Sequence, residues 1–144
     1  MQVAVKRIKA KDTYDIRKEE LRKNMTLSHI MAGDDEPDSV HLGIAMGDEL
    51  VCVGSFMKAG NDHFKGVQYQ LRGMATHSSH QGQGHAKKLL EEAEKLLRSM
   101  QVNVLWCNAR TSAVGFYKKM GYQIKGDEFM VDQIGPHFIM YKAL

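Results

Sequence analysis

Two features of the chain combine residue types and spacing suited to chemistry. The first is the run His80-Gln81-Gly82-Gln83-Gly84-His85-Ala86, which leads into a strongly amphipathic segment. Glycines let a backbone approach a ligand closely, and the first N–H groups of a helix have no partner inside it. With the helix dipole they form a seat for an anion, usually a phosphate. The run lacks the G-K-S/T ending of a P-loop, and Lys87 stands where G-x-G-x-x-G needs its third glycine. A flexible connection into a helix is the plain alternative. The second feature is a pair of arginines, Arg72 and Arg110. They interrupt otherwise uncharged segments, Gln68 to Thr76 and Val104 to Ala109. Arginine is rarely buried without a partner, and a guanidinium in such a place calls for a carboxylate or phosphonate, which it can bind bidentately. An Asp or Glu of the chain itself would also serve.

The elements that must position these residues follow from hydrophobic pattern. Val3 to Ile8 reads as a strand. Asp12 or Thr13 can cap a helix over roughly 13–23, with Tyr14, Ile16 and Leu21 as its apolar residues. Residues 24–39 are polar and acidic and read as a loop, with room for a short helix. Two apolar runs, Val40 to Met46 and Leu50 to Met57, flank Gly47-Asp48, which suits a type II′ hairpin. Val67 to Thr76 alternates as a third strand, completing a meander. Leu89, Leu90, Ala93, Leu96, Leu97 and Met100 then fall on one helical face, the clearest periodic signal in the chain. Val102 to Cys107 is a short strand, and Thr111 or Ser112 can cap a helix whose apolar side holds Ala113, Phe116, Tyr117 and Met120. Gly121 is placed to close that helix. Strands at Tyr122 to Ile124 and Phe138 to Tyr141 finish the chain. This order implies an α/β (α+β mixed type) fold, a mixed sheet of about six to seven strands flanked by helices.

Composition narrows the partners. The chain has 144 residues, 43% of them hydrophobic and 26% charged, which fits one domain over 1–144 with a real core. No apolar run approaches the ~18–20 residues of a membrane helix, and the start lacks a signal-peptide pattern, so a cytoplasmic protein is expected. Residues 24–50 contain six carboxylates and no Lys or Arg; with +3 for the whole chain, the remainder carries +9. An anionic ligand fits that remainder, although patchy surface charge explains it too. No basic stripe with interleaved aromatics marks a nucleic-acid surface. Cys52 and Cys107 sit in apolar runs and read as reduced core residues, and the seven histidines form no zinc pattern, so no metal is expected.

Several spaced motifs together resemble the GNAT superfamily of acyl-CoA-dependent N-acyltransferases. Its loop is Q/R-x-x-G-x-G/A, and Gln81-Gly82-Gln83-Gly84-His85-Ala86 fits it. Asn108, Phe116-Tyr117 and Gly121-Tyr122 follow in the family's order. Within it, Tyr69 to Thr76, Leu105 to Ser112 and Gly135-Pro136-His137 are similar to the small bacterial glyphosate N-acetyltransferase-like group, with a weaker echo in Asp12-Thr13-Tyr14, Arg17 and Arg22.

The resemblance implies acetyl-CoA as co-substrate and direct transfer of its acetyl group to an amine in a ternary complex. It places the pyrophosphate on Gln81, Gly82, Gln83, Gly84, His85 and Ala86. The pantetheine runs beside Met74, Ala75 and Thr76 like an added strand, with Asn108 nearby. It implies His137 as general base, a residue whose ordinary pKa near 6.5 suits the task and whose backbone Gly135-Pro136 would fix. It implies Tyr117 as the acid for the departing thiolate, and Arg22, Arg72 and Arg110 as the clamp on an anionic substrate. An acidic amino acid or aminophosphonate then fits, and polycationic acceptors meet like charge.

Other readings stay open at this level. A GNAT enzyme for a cationic acceptor could use the acidic 24–50 segment, which can line the substrate entrance. A non-catalytic acyl-CoA-binding module would keep the loop without turnover. A nucleotide-phosphate binder would need a Walker-type lysine that is absent from the loop. Monomer and homodimer are both compatible with the sequence.

Overall fold

Strand alternation in the first half and helical period in the second resolve into one seven-stranded sheet in the computed structural model, which describes residues 3–144. The strands are β1 (Val5–Ile8), β2 (Val40–Met46), β3 (Glu49–Lys58), β4 (Gln68–Thr76), β5 (Val104–Arg110), β6 (Gln123–Val131) and β7 (Gly135–Ala143). The α-helices are α1 (Tyr14–Leu21), α2 (His85–Ser99) and α3 (Val114–Lys119). The sheet order is β1-β2-β3-β4-β5-β7-β6. Neighbours pair antiparallel except β4 and β5, which are parallel.

The apolar face of α2 forms the main core. Leu89, Leu90, Ala93 and Leu97 are buried with Val40, Leu42, Phe56, Leu71, Leu105 and Met140. Full burial of a leucine contributes about 1.5–3 kcal/mol. Cys52 belongs to this core, while the next residue, Val53, packs with Ile16 of α1 and Ala75. Successive strand residues point to opposite faces, so α1 and α2 cover opposite sides of the sheet. Both cysteines are free and buried. No helix among the described residues is long and apolar enough to cross a membrane.

Several local expectations hold. The β2–β3 turn has positive φ at Gly47 and not at Asp48, as a type II′ turn requires. Gly121 closes α3 with φ +93°; its N–H bonds Lys118 O and the Tyr122 N–H bonds Tyr117 O, which is a Schellman motif. Others are corrected. α1 ends at Leu21, after a 3₁₀ turn over Ala10–Thr13, and residues 24–39 contain turns but no helix. Neither helix has the expected side-chain cap: the Thr13 hydroxyl turns back to Ala10 O, and that of Thr111 donates to Glu128. Met100 lies just beyond α2 and is 39% exposed, because the helix stops before carrying it inward. The strand expected at 102–107 runs Val104–Arg110, and the final two strands extend well beyond their apolar centres because they pair with each other.

What opens the fold for function is a break in the sheet. β4 and β5 pair only from Gln68–Leu71 to Val104–Cys107. Beyond that, β4 stays with β3 as far as Thr76, and β5 stays with β7 as far as Arg110 opposite His137. The two strands therefore part company at the centre of the sheet. β4 also carries a bulge, where Gly73 and Met74 face Gly54 between the Ser55–Arg72 and Val53–Ala75 pairs. Gly73 has φ +62°, and a Cβ there would lie 3.0 Å from Arg17 Nε. Only glycine meets both conditions without strain.

Candidate active site

A cavity of about 280 Å³ fills the gap between the separated strands. It gathers residues from six strands and α-helices and from two loops. β4 supplies Arg72, Gly73 and Met74; β5 supplies Asn108 and Arg110; α3 supplies Tyr117; β7 supplies His137. Leu21 and Arg22 reach in from the end of α1, and Met31 from the loop after it. Val131 and Ile134 close the side at the β6–β7 turn. All three arginines, the histidine and the tyrosine singled out in the sequence thus meet in one place, although they span 116 positions from Arg22 to His137. The lining contains no Asp or Glu.

Arg22 and Arg110 are held by carbonyl oxygens rather than carboxylates. Arg22 Nε donates to Ser28 O at 3.0 Å and its Nη1 to Leu21 O at 3.1 Å. Arg110 Nη2 reaches the same Leu21 O at 3.4 Å. The Leu21 carbonyl lies at the C-terminal end of α1, where cations are favoured. The Arg72 guanidinium makes no hydrogen bond or ion pair among the described residues. Burial, then the charges of Arg110, Arg72 and Arg17, push the Arg22 pKa down. Burial and then Arg17 do the same to Arg72, against a smaller opposing pull from Asp34. The pocket is a concentration of positive charge without its own counter-ion.

His137 is largely buried, and its Nδ1 lies 2.8 Å from Gly135 O. A carbonyl oxygen only accepts, so Nδ1 carries the proton and neutral His137 keeps its lone pair on Nε2. The ring leans on Phe129, with centroids 5.9 Å apart. Tyr117 packs edge-on to Phe116 and Tyr122 at 5.1 and 5.6 Å. Burial, with Cys107 beside it, raises the Tyr117 pKa well above the ordinary phenol value, so its hydroxyl keeps its proton. Burial also pushes the Cys107 thiol up to about 12, which makes it a poor nucleophile.

Along β4, Thr76 leads to the glycine run. The Gln81 amide donates to Thr76 O at 3.1 Å and ties the run to the strand end. Gly82 and Gly84 have φ +74° and +82°, and a Cβ at either would meet nothing within 4 Å. The backbone there is open to an approaching group. Gly84 precedes α2 and its carbonyl takes the Lys88 N–H, so the earlier N–H groups of that turn remain free of helix bonding. His85 turns inward and bonds Gln83 Oε1 at 3.1 Å, leaving its backbone for the ligand side. These features fit a diphosphate on the Gln81–Ala86 backbone. Among the described residues no group of three or more His, Cys, Asp or Glu is placed to hold a metal ion.

Sequence reading undervalued one cluster. Arg17 is fully buried, and its guanidinium binds Asp34 bidentately at 2.8 and 2.9 Å. It also donates to His29 O and to Ser55 Oγ, both at 2.9 Å. His41 Nε2 donates to Asp34 O at 2.9 Å, so its Nδ1 accepts the Ser55 hydroxyl at 2.7 Å. Asp34 Oδ2 also accepts the Met31 N–H. Arg17 Nε alone lacks a partner among buried side-chain atoms of the described residues, and it lies against Gly73. The acidic loop therefore turns Asp34 inward as a counter-ion, while Asp35, Glu36 and Asp38 stay on the surface and outside the cavity. The one available signal was Arg17 sitting one position after Ile16 on a helix with few apolar residues.

Comparison with known proteins agrees with this geometry. The model of the acetyltransferase (GNAT) domain matches residues 9–144. An uncharacterized N-acetyltransferase of Bacillus subtilis, YitI, is 34% identical over 142 residues, covering 97% of this chain and 95% of the relative. An acyl-CoA N-acyltransferase from Pseudomonas aeruginosa superposes with a TM-score of 0.82 at 17% identity, covering 99% of this chain and 100% of that one. An aminoglycoside 6′-N-acetyltransferase complexed with coenzyme A does so at 0.76 and 14% identity, covering 97% and 96%. With the glycine turn, the parted strands and the bulge in place, the chain belongs to the GNAT family and is an acyl-CoA-dependent N-acetyltransferase.

Proposed function

We propose that the acceptor is a small anionic amine, an acidic amino acid or an aminophosphonate, as the likeness to the glyphosate N-acetyltransferase-like group implies. One observation carries this reading: three arginines converge on a cavity that no carboxylate lines. Mutual repulsion and desolvation make that arrangement costly when empty, and an acceptor with acidic groups relieves it. Arg72, which has no partner, would take one acidic group, and Arg22 and Arg110 another. A cationic acceptor would have to approach these charges without compensation, since no carboxylate of the acidic loop lines the cavity.

Acetyl-CoA supplies the acetyl thioester as co-substrate. The backbone of Gln81 to Ala86 would bind its diphosphate, and Met74 to Thr76 with Asn108 would flank its pantetheine arm. The Met74 N–H, set out of regular register by the bulge, would polarise the thioester carbonyl. His137 Nε2 takes a proton from the acceptor ammonium, directly or through water, and frees its lone pair for attack on the thioester carbon. The C–N bond forms and the C–S bond breaks. Tyr117, whose phenol holds its proton, donates to the departing sulfur, and its phenolate regains a proton from the acetylated nitrogen, which sheds its second one.

Thiol release from acetyl-CoA tests the reading. One panel holds acidic amino acids and aminophosphonates; a second holds aminoglycosides, polyamines and a lysine-rich peptide. Turnover with the anionic panel alone is expected. Turnover with the cationic panel alone overturns the arginine clamp.

A further inference from the structure

We infer that Gln133 is a positioning residue, its side-chain amide clasping Thr26 across the mouth of the arginine-lined cavity. The inference rests on that cavity being the acceptor pocket proposed above. Gln133 Oε1 accepts the Thr26 N–H at 2.9 Å, and Gln133 Nε2 donates to Thr26 Oγ1 at 2.8 Å. The amide is thus used at both ends, joining positions 107 apart in the chain. The two loops it joins are opposite walls of one cavity: Leu21, Arg22 and Met31 lie on the Thr26 side, and Val131, Ile134 and His137 on the Gln133 side. Arg22 also donates to Ser28 O, two residues past Thr26, so the clasped loop holds one of the cavity's own arginines.

Gln133 has φ +66°, a left-handed backbone that few residues with a Cβ adopt. The β6–β7 turn holds it there, with the Ile134 N–H on Val131 O at 3.1 Å. The turn thereby presents the amide to Thr26. Strained backbone of this kind persists where surrounding structure fixes it, often at sites of function. Both clasp bonds are exposed to water, so they seal no core and their removal leaves no cavity. The clasp sets the spacing of the two walls, and with it the fit of the acceptor. The glycine run lies outside the cavity lining, as do Ala75 and Thr76, so the seat for the diphosphate is independent of the clasp.

The test uses the full chain, with Gln133→Ala and Gln133→Glu beside the unaltered protein. Amide hydrogen exchange reads the clasp without any acceptor. In Gln133→Ala, segments 22–31 and 131–135 exchange about tenfold faster, the worth of one or two exposed hydrogen bonds, while β4 and β5 are unchanged. The carboxylate of Gln133→Glu can accept both the N–H and the O–H of Thr26, so it restores protection. Kinetics then read the consequence, with L-aspartate, aminomethylphosphonate and spermidine as acceptors. Gln133→Ala raises acceptor KM about tenfold, leaving kcat and the KM for acetyl-CoA unchanged. Gln133→Glu, protected yet negative at the mouth, raises KM for the two anions only. Unchanged exchange in 22–31 overturns the clasp, whichever acceptor is turned over. Faster exchange with unchanged acceptor KM overturns its positioning role. Turnover of spermidine alone overturns the anionic reading and leaves the exchange result to decide the clasp.

Discussion

Arg17 and Arg72 stand at the same bulge of β4, and their surroundings are opposite. Arg17 is closely paired: a bidentate carboxylate, a carbonyl and a hydroxyl occupy four of its five N–H groups, and Nε alone is left without a partner. Arg72 faces the cavity with no partner among the described residues, in a lining without carboxylates. The same side chain is a structural strut in one place and an unpartnered cation lining a cavity in the other. The difference lies in whether the fold itself supplies the counter-charge. A satisfied buried cation holds structure, because removing either member strands a charge. An unsatisfied one, partly exposed, is cheap to remove for stability and costly for binding.

Each expected outcome presses on that contrast. The largest concerns the open side. His137→Ala should lower kcat by about 10²–10⁴-fold, the range for loss of a general base, with melting temperature nearly unchanged. A steady-state assay and a thermal melt on one preparation check both halves, and a variant that unfolds would put His137 with the struts.

On the paired side, Asp34→Asn should cost about 3–5 kcal/mol of stability in denaturant unfolding, because Arg17 is left charged and buried. The pH dependence has a definite sign. Burial alone would raise the Asp34 pKa, but hydrogen bonds from Arg17 and the Met31 N–H, with the Arg17 charge, outweigh it and hold it below the usual carboxylate range. That contribution is present above the ordinary carboxylate pKa and is lost as pH falls through the lowered one. The unaltered protein should weaken in acid by more than Asp34→Asn does.

Arg72→Ala should raise acceptor KM about 10–100-fold, the worth of a charge-assisted hydrogen bond, with little change in the KM for acetyl-CoA or in stability. A stability loss as large as that of Asp34→Asn would erase the distinction between the two arginines. The smallest effect belongs to the backbone site. Gly82→Ala meets no atom, so its cost is backbone strain, about 1–2 kcal/mol for a left-handed residue. It should raise the KM for acetyl-CoA a few-fold and leave that of the acceptor unchanged, as titration of each substrate would show.

The glycine run, the helical face of Leu89 to Leu97 and the Gly121 terminator were legible because each is local: a φ value, a 3.6-residue period, a single cap. The resemblance supplied His137, Tyr117 and Arg22, which no local pattern marks as chemical. The Thr13 and Thr111 caps failed because each hydroxyl found a tertiary or back-bonded partner instead. The Gln133–Thr26 clasp had no signature at all, since nothing in two polar residues 107 positions apart announces a contact.

By itself, then, the sequence determined the element order, the glycine-rich turn before α2 and the types of residue available for chemistry. These depend on backbone preferences and periodicities that act within a few residues. Tertiary structure alone decided which charges stay unpaired. It turned Asp34 inward to Arg17, kept the other loop carboxylates away from the cavity, and parted β4 from β5 so that Arg22, Arg72, Arg110, Tyr117 and His137 share one space. Pairing of charge depends on distance in three dimensions and on burial, and neither is written in the order of residues.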